Sequence, residues 1–256
     1  EKKEKPELLL GHVSILCAIA FTFHENQQRP LILSCDRDEK LRVSKYPNTY
    51  NIQAFGLGHT EFVTTVAAAP LAHDLVATGS GDGTVRLWDT RTGELVQTVE
   101  LRLYLAKYYE SGAAKRGANS YEDRTAANDR YGVLRVRATD TAFVAVVERI
   151  PAVVVLPLLK DGNGLGEPQI VDVAMPPTDV AVLRDHLLVS YAPSEDGALV
   201  AALKLGEEGV YVADEILTNA LSENIVTKDV DIVPQVKSIF VWGNKMFLER
   251  PRNDEE

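Results

Sequence analysis

The chain is poor in the residues that usually do chemistry. Its 256 residues hold two cysteines, two methionines, two tryptophans and five histidines. Cys17 and Cys35 cannot staple a secreted scaffold. They suit a reducing compartment, where a thiol mostly serves as a small buried hydrophobe. Two isolated cysteines also make no zinc site, and no histidine pair has the spacing of a metalloprotease helix. Long apolar runs are missing too. The longest, such as residues 150–159, fall well short of the roughly 18 that a membrane span needs, so no membrane partner is expected. A basic excess is absent as well. Lys and Arg number 27 against 37 Asp and Glu, a net charge of −10. Residues 1–131 are nearly neutral, with 16 basic against 17 acidic side chains, and residues 132–256 carry 11 against 20. A chain that grips nucleic acid by itself shows a basic stripe or a high pI. Any RNA or DNA contact is therefore expected to be local or made through a partner. What is present is ordinary globular material, 45% hydrophobic and 25% charged, enough for one large domain or two small ones.

Internal repeats organise the chain. Gly11-His12 returns as Gly58-His59, 47 residues on. Ser34-Cys35-Asp36-Arg37-Asp38-Glu39-Lys40-Leu41-Arg42-Val43-Ser44 returns as Gly79-Ser80-Gly81-Asp82-Gly83-Thr84-Val85-Arg86-Leu87-Trp88, and the second copy closes on Trp88-Asp89. A Gly-His near the start and a Trp-Asp near the end of a unit of roughly 40–45 residues is the WD-repeat signature. Residues 62–68, 75–78, 84–88 and 95–99 read as four strands. Gly81-Asp82-Gly83 supplies a tight turn, because its glycines allow positive φ.

The polar residues of the repeat have a structural purpose. His59 is expected to meet Asp82 and, through Thr78, the indole N–H of Trp88. Such a chain satisfies buried polar groups inside one blade. By the same alignment His12 is expected to meet Asp38. The first repeat has Ser44-Lys45 where the second has Trp88-Asp89, so its network lacks the indole.

Later repeats are degenerate. Residues 133–139, 143–148, 152–156 and 169–174 give a third set of strands. Residues 180–183, 187–191, 198–205 and 209–212 give a fourth. The reading is an all-β propeller with blades at 8–55, 56–100, 132–175 and 176–213. Residues 101–131 form an insertion with some helix, since so long a polar connection is uncommon. In the C-terminal segment, 214–256, residues 214–222 suit a helix capped by Asp214. Residues 236–241 and 245–248 carry further strand patterns.

A search for catalysis finds little. Gly79-Ser80-Gly81-Asp82-Gly83 leads into a strand, so no helix N-terminus is there to hold a phosphate. Asp161-Gly162-Asn163-Gly164-Leu165-Gly166 puts Leu165 where a calcium loop needs an oxygen. No metal site, no cofactor site and no nucleophile with base and orienter can be assembled by spacing. The residues alone point to a non-enzymatic propeller used for binding.

The Leu8-Leu9-Leu10-Gly11-His12-Val13-Ser14 run, the Ser34–Ser44 block and Gly58-His59-Thr60-Glu61-Phe62-Val63 together resemble one family. It is the non-catalytic WD-repeat subunit of the eukaryotic tRNA (guanine-N7-)-methyltransferase. The resemblance is close over residues 7–89 and one of layout beyond. It implies a seven-bladed propeller that binds and stabilises a separate catalytic subunit as a heterodimer. That partner holds S-adenosylmethionine and makes N7-methylguanosine in the tRNA variable loop. This chain would hold no cofactor and would work in the nucleus, with the cytoplasm a second location. The family's basic interface residue falls on Arg42, with Arg37, Glu39 and Lys40 beside it, while Asp38 serves the blade. Seven blades also imply that the four here are the C-terminal part of a longer protein. They would form an open arc, with the outward apolar face of the first blade bare.

The main alternative is a generic WD40 interaction scaffold with another partner. It accounts for residues 58–89 equally well and leaves the Asp-Arg-Asp-Glu block unexplained. A propeller enzyme would need converging acid, base or metal residues that the sequence does not supply. Direct tRNA binding would have to use Lys107, Lys115 and Arg116 against the net charge.

Overall fold

The computed structural model describes residues 8–23, 30–72, 74–110, 131–192, 199–206 and 209–224. These residues form sixteen strands in four antiparallel sheets of four strands each. The first sheet holds β1 (Leu16–Phe23), β2 (Pro30–Asp36), β3 (Lys40–Lys45) and β4 (Ile52–Leu57). The second holds β5 (Val63–Ala68), β6 (Leu75–Ser80), β7 (Thr84–Asp89) and β8 (Leu95–Glu100). Two short helices follow, α1 (Leu101–Tyr104) and α2 (Ala106–Glu110). The third sheet holds β9 (Val133–Ala138), β10 (Ala142–Val147), β11 (Ala152–Pro157) and β12 (Gln169–Asp172). The fourth holds β13 (Pro177–Leu183), β14 (His186–Tyr191), β15 (Val200–Leu205) and β16 (Tyr211–Ala213), followed by helix α3 (Glu215–Asn224). Every sheet is an up-and-down meander.

The first strands of successive sheets, β1, β5, β9 and β13, lie side by side in chain order. That is the inner edge of a propeller, where each blade meets the next. Both faces of a middle blade are therefore covered, which explains the short runs of unbroken apolar sequence. In β10 and β11 all but Pro157 are buried. Alternate residues serve opposite neighbours. Val85 and Leu87 of β7 join the core shared with the third blade. Trp88 joins the core shared with the first, together with Leu33, Val43 and Val66. A third core fills the gap between the third and fourth blades around Val144, Val153 and Leu187.

Polar side chains stitch the second and third blades together. Thr64 Oγ1 donates to the Val133 carbonyl, and the Val136 N–H donates to Thr65 Oγ1 at 3.1 Å. A β-carbon at Gly79 would stand 2.5 Å from Val133 Cγ1, so a glycine is what lets these blades close on each other. Residues 101–110 belong to the same core: Leu101 and Leu105 are fully buried. Lys107 Nζ and the Tyr108 hydroxyl donate to Asp172, tying α2 to the outer strand of the third blade.

The first blade differs on its far side. Ile19, Phe21 and Phe23 of β1 are about half exposed, and Phe55 and Leu57 of β4 join them. Helix α3 begins where the sequence places it, with the Leu217 N–H donating to Asp214 Oδ1 at 2.9 Å. Residues 115, 116, 236–241 and 245–248 lie outside the described residues.

Candidate partner-binding face

The second blade builds the expected chain of hydrogen bonds. Asp82, ionised, can only accept, so His59 Nδ1 carries the proton and donates to Asp82 Oδ2 at 2.8 Å. In the neutral ring His59 Nε2 then accepts from Thr78 Oγ1 at 2.7 Å. Thr78 Oγ1 in turn accepts from Trp88 Nε1 at 2.8 Å. Asp82 also takes the N–H groups of Thr60 and Thr84 and the Thr84 hydroxyl. Burial alone would raise the Asp82 carboxyl. The hydrogen bond from His59, with the Thr84 and Thr60 donors, outweighs it and holds the carboxyl far below the usual carboxylate range. All four side chains are buried, so these are fixed parts of the blade.

The first blade solves the same problem differently. His12 Nδ1 donates to Asp36 Oδ2 at 2.7 Å, and its Nε2 meets Ser34 Oγ at 2.9 Å. Asp38, the expected partner, is not in the network. Its side chain is 49% exposed and receives Lys40 Nζ at 3.4 Å. The reason lies in the turn. In the second blade the first turn residue is Ser80, whose Oγ accepts the Asp82 N–H. In the first blade that place is held by Asp36, whose Oδ1 accepts the Asp38 N–H at 3.0 Å. The longer acidic side chain closes the turn with one oxygen and takes the histidine with the other. Sequence alignment by rank along the turn misses this, although an acid at the turn-closing position was the available signal.

Asp36, His12 and Ser34 thus stand in the order of a hydrolytic triad. Ser34 is fully buried, which leaves no approach for a substrate, and the constellation acts as a clamp for the 8–14 segment. The thiols are equally unsuited to attack. Burial pushes Cys17 up to about 11, and burial pushes Cys35 higher still.

Arg42 lies on the same face of the first blade as Ser34, its ladder partner across β2. Its guanidinium is held in place by three oxygens. Nε donates to Ser44 Oγ at 3.0 Å, Nη1 to the Gly11 carbonyl at 3.0 Å and Nη2 to the Thr49 carbonyl at 2.8 Å. Thr49 in turn donates its hydroxyl to the Leu9 carbonyl. Ser44, which stands where the second blade has its tryptophan, is therefore the residue that orients Arg42. Arginine has five N–H donors, so one on each terminal nitrogen is left for an outside acceptor. Arg37, Glu39 and Lys40 sit on or beside the β2–β3 turn, where Glu39 takes φ 68°. The structure thus brings Arg42 together with Gly11, Ser44 and Thr49, and it places Arg37, Glu39 and Lys40 on the adjoining turn. Thr49 and the Gly11 carbonyl had no signal in the sequence, because backbone acceptors carry none.

Three sequence relatives match part or most of this chain. A Dictyostelium discoideum protein named tRNA (guanine-N(7)-)-methyltransferase non-catalytic subunit wdr4 is 45% identical over 100 residues, 39% of this chain and 21% of that protein. A Danio rerio protein of the same name is 44% identical over 105 residues, 41% of this chain and 24% of that protein. The subunit TRM82 of Lodderomyces elongisporus is 26% identical over 240 residues, 88% of this chain and 60% of that protein. The matches thus span between 21% and 60% of the lengths of these relatives. Among solved structures, the computationally designed Ika4 protein matches 79% of this chain and all of its own with a TM-score of 0.52 at 17% identity. The dihydro-heme d1 dehydrogenase NirN matches 77% of this chain and 36% of its own with a TM-score of 0.51 at 18% identity. Likeness at that identity is one of fold alone. The family model described as tRNA methyltransferase TRM82 WD40 domain matches residues 1–205, and the chain belongs to that family.

Proposed function

We propose that the chain acts as a non-catalytic WD40 subunit that binds and stabilises a catalytic tRNA (guanine-N7-)-methyltransferase in a heterodimer. The names of the relatives support a subunit of that enzyme. The observation that carries the binding role is Arg42, oriented by Ser44, Gly11 and Thr49 with two N–H groups remaining. A guanidinium fixed in this way loses little freedom when it grips a carboxylate of a partner. Arg37, Glu39 and Lys40 on the adjoining turn would complete a mixed-charge contact, which sets register and excludes wrong partners. In this reading S-adenosylmethionine and the methyl transfer belong to the partner. The tRNA meets this chain indirectly or at local contacts, and the complex is nuclear.

The test is reconstitution. The full-length protein and the catalytic subunit of the same organism are co-expressed, and guanosine N7-methylation of tRNA is followed with and without the WD40 chain. Co-purification and methylation that depends on the chain are expected. A catalytic subunit that is equally stable and active alone, and does not co-purify, would overturn the proposal.

A further inference from the structure

Arg86 occupies the register of Arg42 one blade on. Arg42 pairs across the ladder with Ser34 and Phe55, and Arg86 with Thr78 and Thr98. Their surroundings differ in one decisive way. Arg42 Nε donates to Ser44, two residues on. Two residues on from Arg86 stands Trp88, whose indole N–H is itself a donor and is already given to Thr78. Arg86 Nε is consequently buried with no acceptor, and no hydrogen bond or ion pair joins the Arg86 side chain to any other described residue. The side chain is only partly buried, and its Nη1 lies beside Gly58. A β-carbon at Gly58 would stand 2.5 Å from Arg86 Nη1, so the glycine of the Gly-His pair makes the slot in which the guanidinium rests.

A buried N–H without an acceptor costs stability, and a charged group in that position costs more. A methionine or leucine would fill the same slot without that cost. We propose that Arg86 is a second partner-binding arginine, one that takes a carboxylate of the catalytic subunit at its terminal nitrogens. This rests on the proposed heterodimer and names a contact within it. A protein carboxylate is favoured over an RNA phosphate by charge: the chain carries −10, which repels a polyanion over long range but opposes a single acidic side chain far less. Arg42 and Arg86, at one register on neighbouring blades, would then meet two acidic positions of one partner.

The test uses Arg86→Met in the full-length protein, with the wild-type complex as reference. Three measurements are made: affinity for the catalytic subunit, thermal unfolding, and binding of tRNA by the WD40 protein alone across a salt series. Affinity for the catalytic subunit is expected to fall about tenfold or more, while thermal stability holds or rises, because an unsatisfied donor has been removed. Wild-type affinity in the variant overturns the inference and leaves the heterodimer standing. A loss of stability that accompanies unchanged affinity assigns Arg86 to the blade and also overturns it. Weaker tRNA binding with a shallower salt slope makes the ligand a phosphate and overturns the carboxylate assignment. If the wild-type proteins do not bind each other, it is the heterodimer itself that fails.

Discussion

Asp36 and Asp82 accept the same histidine hydrogen bond from turn positions that differ by two residues. Asp36 stands at the first position of its turn and Asp82 at the third, yet both lie within 2.8 Å of a histidine Nδ1. The rule that matters is therefore satisfaction of the buried imidazole, not the rank of the acid in the turn. Truncating Asp36 orphans the His12 donor and the Asp38 N–H together. Asp36→Ala should cost about 1–3 kcal/mol in urea unfolding, the range for a buried donor left without its acceptor. Asp38→Ala, a change on an exposed side chain, should stay within about 0.5 kcal/mol. Equal effects from the two variants would contradict the assignment.

The depressed carboxyl of Asp82 makes stability depend on acid. Its folded-state pKa lies below its unfolded value, so the unfolded chain takes up the proton first. Its contribution is whole above the ordinary carboxylate range of about 4 and is lost as pH falls through that range toward the folded value. Unfolding free energy measured from pH 7 down to pH 2 should therefore fall more steeply for wild type than for Asp82→Asn. The variant should be the less stable at pH 7, and the two curves should converge at the acid end. Parallel curves would show that Asp82 is not held ionised by its network.

The sequence was informative where side chains repeat with a period. The strands of the second, third and fourth blades fall within a few residues of their expected places, because turn glycines and apolar runs mark them directly. The His59–Thr78–Asp82–Trp88 chain was legible for the same reason. What was not legible depends on groups that the sequence does not display. Arg42 is oriented by the carbonyls of Gly11 and Thr49, and any residue can offer a carbonyl. The Asp36 substitution for Asp38 required knowing which turn oxygen points inward. Residues 101–110 read as the start of a polar insertion, yet Leu101, Leu105 and Tyr108 turn into the core between the second and third blades. The polar composition of residues 111–130 drew the whole stretch into the insertion, and the neighbouring blade overrode that reading.

That override can be measured. Leu105 is fully buried among core residues of two blades. Leu105→Ala should cost about 2–5 kcal/mol, the range for an aliphatic side chain removed from a packed core. Lys107→Ala, which breaks an exposed ion pair to Asp172, should cost no more than about 1 kcal/mol. If Leu105→Ala proved as mild as Lys107→Ala, residues 101–110 would be an appendage and not part of the core.

Arg42 has two tasks, and substitution separates them. Inside the blade it ties the 8–14 segment and the β3–β4 turn to β3 through the Gly11 and Thr49 carbonyls. Toward the proposed partner it offers its remaining N–H groups. Arg42→Glu should therefore lower both the unfolding free energy and the affinity for the catalytic subunit. Arg42→Lys keeps the charge but cannot reach three acceptors and a carboxylate with one ammonium, so it should lose about tenfold in affinity with a smaller loss of stability. The measurements are calorimetric titration against the catalytic subunit and urea unfolding of each full-length variant. A folded Arg42→Glu protein that binds at wild-type affinity would remove Arg42 from the interface. Its three internal hydrogen bonds would then be its whole purpose.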